Sequence, residues 1–194
     1  EDAAAKLAKG EFTLDDFLFF GGFPGAARLV VDERRWQAYM RDSIIEPTIS
    51  NDVLEQEDVR KPVLLRALFD LGARFSGQEL SYNKMLGQLQ DAGNTTTLAH
   101  YLTLLDKAGV LCGLKKYHPK AIERRKSSPR LMVYDMALMT AVSGRSRELL
   151  LGDSKLRGHL VKSAVGARLL ALGPDLGFDV QWWREGNDEV DFVL

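Results

Sequence analysis

The chain has 194 residues, 45% of them hydrophobic and 27% charged, and 26 Lys+Arg against 27 Asp+Glu leave a net charge of −1. That length fits one large or two small domains, and the apolar share argues against a disordered chain. No apolar run approaches the roughly 18–20 residues that span a bilayer. Glu1-Asp2-Ala3-Ala4 lacks the basic and apolar regions of a signal peptide, and the lone Cys112 excludes an internal disulfide. The expectation is a soluble cytoplasmic protein with no membrane partner.

Glu1 to Gly10 is rich in Ala and Lys and predicts a short helix. Phe17 to Gly25 is apolar, and Gly21, Gly22, Pro24 and Gly25 predict a tight turn leaving a buried segment. Asp32 can cap a helix with Trp36, Tyr39, Met40 and Ile44 inward, which Pro47 should bend or end. Asp58 and Pro62 open a helix burying Leu64, Leu65, Leu68 and Phe69, with Gly72 placed to close it. Ser81 can cap a shorter helix with Met85, Leu86 and Leu89 inward. After the turn Asp91-Ala92-Gly93-Asn94 comes a third helix, Thr95 to Ala108, burying Leu98, Tyr101, Leu102 and Leu105. Helix, short helix, tight turn and longer helix is the sequence form of a helix-turn-helix.

Val110 to Leu114 and Leu131 to Tyr134 predict two strands flanking a basic segment. Three helices followed by such a ribbon is the order of a winged-helix domain, with the third helix for recognition and the loop as wing. Next come short helices at Met136–Val142 and Ser146–Leu151. The helix Gly158–Leu172 has apolar residues on more than one face and should be covered on both sides. Phe178–Arg184 and Glu189–Leu194 predict a hairpin, with Val190, Phe192 and Leu194 on one face and Glu189 and Asp191 on the other.

The balanced charge conceals a division. Gly113 to Arg130 carries Lys115, Lys116, Lys120, Arg124, Arg125, Lys126 and Arg130 against Glu123 alone, an excess of +6, which leaves −7 on the remainder. These cations could neutralise phosphates, and the outward face of the third helix, Thr96, His100, Thr103 and Lys107, could meet phosphates or base edges. A solvated helix face and a wing docked on another protein are the competing readings. Nucleotide and nucleophile motifs are absent: no P-loop, no dinucleotide fingerprint, no serine elbow. His100, His118 and His159 are dispersed without ligand spacing, and Cys112 reads as a small core residue. Trp182-Trp183 reads as core packing. Glu189 and Asp191 could hold Mg²⁺, against the alternative of a solvated hairpin edge.

Six stretches, in this order, carry a resemblance: Phe20–Gly25, Trp36–Ile45, Tyr101–Val110, Ser128–Asp135, Gly158–Val165, and Trp183-Arg184 through Glu189–Leu194. Together they resemble the C-terminal portion of a prokaryotic family of AAA-type P-loop ATPases, whose tail is a domain of unknown function. The resemblance implies an ATPase domain upstream of about residue 10, a partner in cis that would hold ATP and Mg²⁺, with no cofactor in the present chain. It further implies a helical linker from the ATPase lid at 1–57, a winged helix at 58–135 and an incomplete restriction-endonuclease-like αββ unit at 136–194. The fold class expected is therefore mixed α/β (α+β). In the last unit Asp191 matches a metal-binding aspartate, Lys162 stands where the family often has glutamate, and a Glu-x-Lys strand would lie beyond Leu194. The expected function is a DNA-binding or DNA-sensing module, catalytically inert in isolation. The alternatives are a protein-interaction or self-association module and part of a metal-dependent nuclease in the intact protein.

Overall fold

The computed structural model describes residues 12–54, 59–119 and 127–194. The expected helix at 1–10 and the expected helix start at Asp58 lie outside them, as do Lys120, Arg124, Arg125 and Lys126. The described chain is a mixed α/β fold, mostly helical, with one four-stranded sheet.

Helix α1 (Leu14–Phe20) opens on a capping box: the Thr13 side chain accepts from the Asp16 amide while the Asp16 carboxylate accepts from the Thr13 amide. It ends at Gly21, whose φ of +67° suits glycine. A Cβ at Gly21 would also fall 1.9 Å from Oδ1 of Asp135. Asp135 accepts from the amides of Gly22 and Ala137, so the glycine turn is clasped against a later helix start. A 3₁₀ segment, Pro24–Leu29, leads to α2 (Glu33–Tyr39), capped by Asp32 as expected. Phe19, Phe20 and Trp36 pack with ring centroids 4.9–5.3 Å apart.

At Pro47, expected to bend or end the helix, the chain does not stop: it runs on through π-helical turns at Met40–Ile45 and Thr48–Leu54. Those wider turns also advance the inward stripe by one residue, so Ile45 is buried and Ile44 only half-buried.

Helix α3 (Pro62–Arg74) begins at its proline as expected. Gly72 does not close it, however. The helix continues two residues further, and Gly72 sits where a Cβ would meet a Leu111 methyl at 2.2 Å. The missing side chain is what lets α3 approach the sheet closely. Helix α4 (Tyr82–Gln88) is capped by Ser81, and α5 (Thr95–Lys107) by Asn94, whose Oδ1 accepts from the Thr97 amide at 2.9 Å. Between them the backbone turns through Asp91 at φ +53° and Gly93 at φ +73°.

Strands β1 (Leu111–Lys116) and β2 (Arg130–Val133) pair antiparallel, and Glu79, ahead of α4, bridges antiparallel to Arg130. Leu111, Leu131 and Val133 enter the main core beneath the helices. Cys112, Leu114 and Met132 turn the other way and bury Trp182. A ribbon covered on both faces explains why β2 is buried throughout and β1 is buried at Leu111, Cys112 and Leu114.

Helices α6 (Met136–Ser143), α7 (Arg147–Gly152) and α8 (Ser154–Leu176) follow. Helix α8 is longer than its apolar pattern predicts and passes through Pro174. The expectation that it is covered on both sides is corrected as well: Val161 and Val165 are 42% and 46% exposed. The last hairpin, β3 (Gln181–Glu185) and β4 (Asp188–Val193), completes a sheet ordered β2-β1-β3-β4. Lys115 and Lys116 of β1 pair in parallel with Gln181 and Trp182 of β3. The Trp182 indole N–H donates to the Leu114 carbonyl at 3.1 Å.

Candidate nucleic-acid interface

Helix α5 turns one row of side chains inward and another outward. Leu98, Tyr101, Leu102, Leu104 and Leu105 are buried. Thr96, His100, Thr103 and Lys107, predicted to face outward, are all exposed. Thr103 gives its hydroxyl proton to the Ala99 carbonyl at 3.0 Å, leaving its oxygen able to accept. Beside Lys107, the Asp106 carboxylate is turned toward Tyr134, whose hydroxyl donates to it at 2.6 Å. Burial, with the Asp106 charge, pushes the Cys112 thiol up to about 12, so Cys112 is inert as well as buried.

A concavity of about 550 Å³ opens beside the first turns of α5, lined by Arg60, Lys61, Asn94, Thr96, Thr97, His100 and Tyr101. Sequence reasoning singled out Thr96 and His100 but missed Arg60 and Lys61. They precede α3, more than thirty residues from α5 along the chain, and only the packing of α3 against α5 brings them there. The Lys61 amide donates to the hydroxyl of buried Tyr101 at 3.0 Å, and the Lys61 ammonium donates to the Asp91 carbonyl at 2.7 Å.

The predicted wing cations divide. Lys115 is exposed, while Lys116 is half-buried with its ammonium 5.7 Å from the Trp182 ring centroid. Arg130 is corrected: it is no surface cation. Its side chain is 2% exposed and donates to Asp191 at 2.5 Å and to Glu189 at 2.6 Å. Its guanidinium carbon also lies 4.8 Å from the Trp182 ring centroid. Lys162 reaches Asp191 at 2.7 Å, and Arg184 lies 3.9 Å from both Glu79 and Glu189. Three cations and three carboxylates thus form one network.

That network also bears on Asp191 as a metal ligand. Burial raises its carboxyl, but the Lys162 hydrogen bond and charge, with the Arg130 hydrogen bond, outweigh that and hold it below its ordinary value. Two side-chain cations already occupy the approach to Glu189 and Asp191, so this donor set does not fit a divalent ion. Among the described residues no three His, Cys, Asp or Glu side chains converge to hold one. Among them also, no helix is long and apolar enough to cross a membrane.

Compared with known proteins, residues 11–149 match a family described as a domain of unknown function (DUF8612). No curated protein and no solved structure matches the chain.

Proposed function

For a chain that belongs to the DUF8612 family, we propose a DNA-binding or DNA-sensing module in which α5 is the recognition helix. The observation that carries this is the outward row Thr96, His100, Thr103 and Lys107, polar and exposed along one helix whose opposite face is core. Such a row suits a major groove, where hydroxyl, imidazole and ammonium groups meet base edges and phosphates. Two further features support it. The element order α3, α4, α5, β1, β2, with Glu79 bridging to Arg130, follows a winged helix. The basic segment 113–130 spans the end of β1 and the connection to β2, the sequence position expected of a wing.

In this reading the module is cytoplasmic and serves a AAA-type ATPase domain in cis, which would hold ATP and Mg²⁺. The present chain contributes recognition and no catalysis. A mobility-shift titration with random duplex DNA across a salt series tests it. Four phosphate contacts would weaken binding by about 10²-fold between 50 and 200 mM salt. Undetectable binding at low salt, or binding indifferent to salt, overturns the reading.

One observation favours a second reading, a protein-contact or self-association module: Val161 and Val165 lie exposed four residues apart on α8. Replacing Arg124, Arg125 and Lys126 with Ala separates the two. Loss of DNA affinity with assembly unchanged supports the first, and the reverse outcome supports the second.

A further inference from the structure

The concavity beside the start of α5 is more than a dent between helices, because its lysine is held in place from behind. The Tyr101 ring is buried, and its hydroxyl fixes the backbone at Lys61. The Lys61 ammonium is then latched to the Asp91 carbonyl by one hydrogen bond, which leaves two N–H donors to point elsewhere. The turn that presents this carbonyl is built from two residues of positive φ, Asp91 and Gly93, and Gly93 passes close to the ammonium: a Cβ there would lie 3.8 Å from it. Arg60 adds a planar fork of donors, and Thr96 and His100 add a hydroxyl and an imidazole from α5. None of the described residues lining the concavity is a carboxylate. Arg60 and Lys61 bring positive charge, and Thr96 and His100 bring groups that can donate, a set that suits an anion rich in acceptor oxygens.

We propose that this concavity is a phosphate subsite, in which Arg60 and Lys61 clamp a phosphate that Thr96 and His100 contact from the recognition helix. The assignment rests on the DNA-binding reading and deepens it. A backbone phosphate seated here, flanking the groove, fixes the register of α5 while carrying no sequence information of its own. It also gives cations far from the basic segment 113–130 a role, at the opposite end of the helix.

The test uses the full 194-residue chain and a fluorescent random-sequence duplex read by anisotropy across a salt series. The probe variant is R60Q/K61Q, which removes both charges while the glutamine amide at 61 can still donate to Asp91. The control is K155A, an exposed position on α8. H100A provides a second probe that leaves the Lys61 latch untouched, and thermal melts establish that each variant is folded. R60Q/K61Q is expected to bind about 10- to 50-fold more weakly, with a salt slope shallower by about one to two. H100A should bind several-fold more weakly at unchanged slope, with K155A matching the wild type. Inorganic phosphate, titrated at constant ionic strength and read at the His100 ring by NMR, identifies the source of the phosphate. Saturation at millimolar concentration, lost in R60Q/K61Q, supports the subsite and assigns it to free phosphate as well as to the DNA backbone. Silence in this arm, with DNA affinity weakened as expected, supports the backbone alone. If the wild type binds DNA and R60Q/K61Q binds with the same affinity and slope, the subsite is overturned and the DNA reading stands. If the wild type does not bind DNA at all, both fall together.

Discussion

Two groups of cations in this molecule have opposite fates. Around the start of α5, Arg60 and Lys61 line an open concavity whose described lining contains no carboxylate. At the sheet, Arg130, Lys162 and Arg184 each meet a carboxylate: Glu189, Asp191 and, through Arg184, Glu79. Charge counting treats the two groups alike, since each residue adds +1 wherever it sits. Folding decides which cations remain available to a partner and which become structure. The excess of +6 in residues 113–130 is therefore smaller in effect than in arithmetic, because Arg130 is turned inward.

The contrast can be broken most severely at Arg130. Replacing it with Met removes both guanidinium contacts and leaves Glu189 and Asp191 facing each other. A loss of about 2–4 kcal/mol is expected in urea unfolding, moderated by solvent at the partly exposed carboxylates. DNA affinity measured well below the melting temperature should change little. If affinity falls while stability holds, Arg130 belongs with the outward cations and the contrast collapses.

Lys162→Met should cost less, about 1 kcal/mol, since Arg130 still neutralises Asp191. The same network predicts an acid limb. The Asp191 carboxyl titrates below its ordinary value in the folded state, so its unfolded form binds the proton first as pH falls. Its contribution to stability is complete above the unfolded carboxylate range, near pH 4, and is lost as pH falls through the lowered folded value. Denaturant midpoints for the wild type and Asp191→Asn should therefore separate above about pH 5 and converge as pH falls through the lowered folded value. Parallel curves would show that the network does not hold Asp191 ionised.

The smallest effect sharpens the distinction from the other side. Arg66 and Glu46 pair at 2.6 Å, but both side chains are more than a third exposed. The Arg66 hydrogen bond, aided by Ser50, lowers the Glu46 carboxyl, yet Glu46→Gln should change stability by under about 1 kcal/mol. A larger loss in thermal unfolding would mean that burial does not separate structural from ornamental charge here.

Much of this was legible in the sequence where the governing interactions are local. Asp32 and Ser81 cap the helices they precede because a cap acts over three residues, and α5 shows its two faces because the period of a helix is short. What was hidden depends on distant partners. Nothing near Gly72 announces that Leu111 will press against it, and nothing near Ile44 announces π turns. Arg130 looks like its basic neighbours until β4 arrives some sixty residues later with Glu189 and Asp191. Arg60 and Lys61 likewise join α5 only through the packing of α3 against it.

Strand β1 has a consequence that its length conceals. Its first part is laced to β2 from Leu111 to Leu114, and its last two residues are laced to β3. Those last residues, Lys115 and Lys116, are the first cations of the basic segment, at the point where it leaves the strand. A pull on that segment is therefore borne by the Lys115–Gln181 and Lys116–Trp182 rungs and by the Tyr117 amide's bond to the Trp182 carbonyl. The strand acts as a tie-rod. Whatever loads the basic segment loads the seat of Trp182, and through it the hairpin at the far side of the sheet.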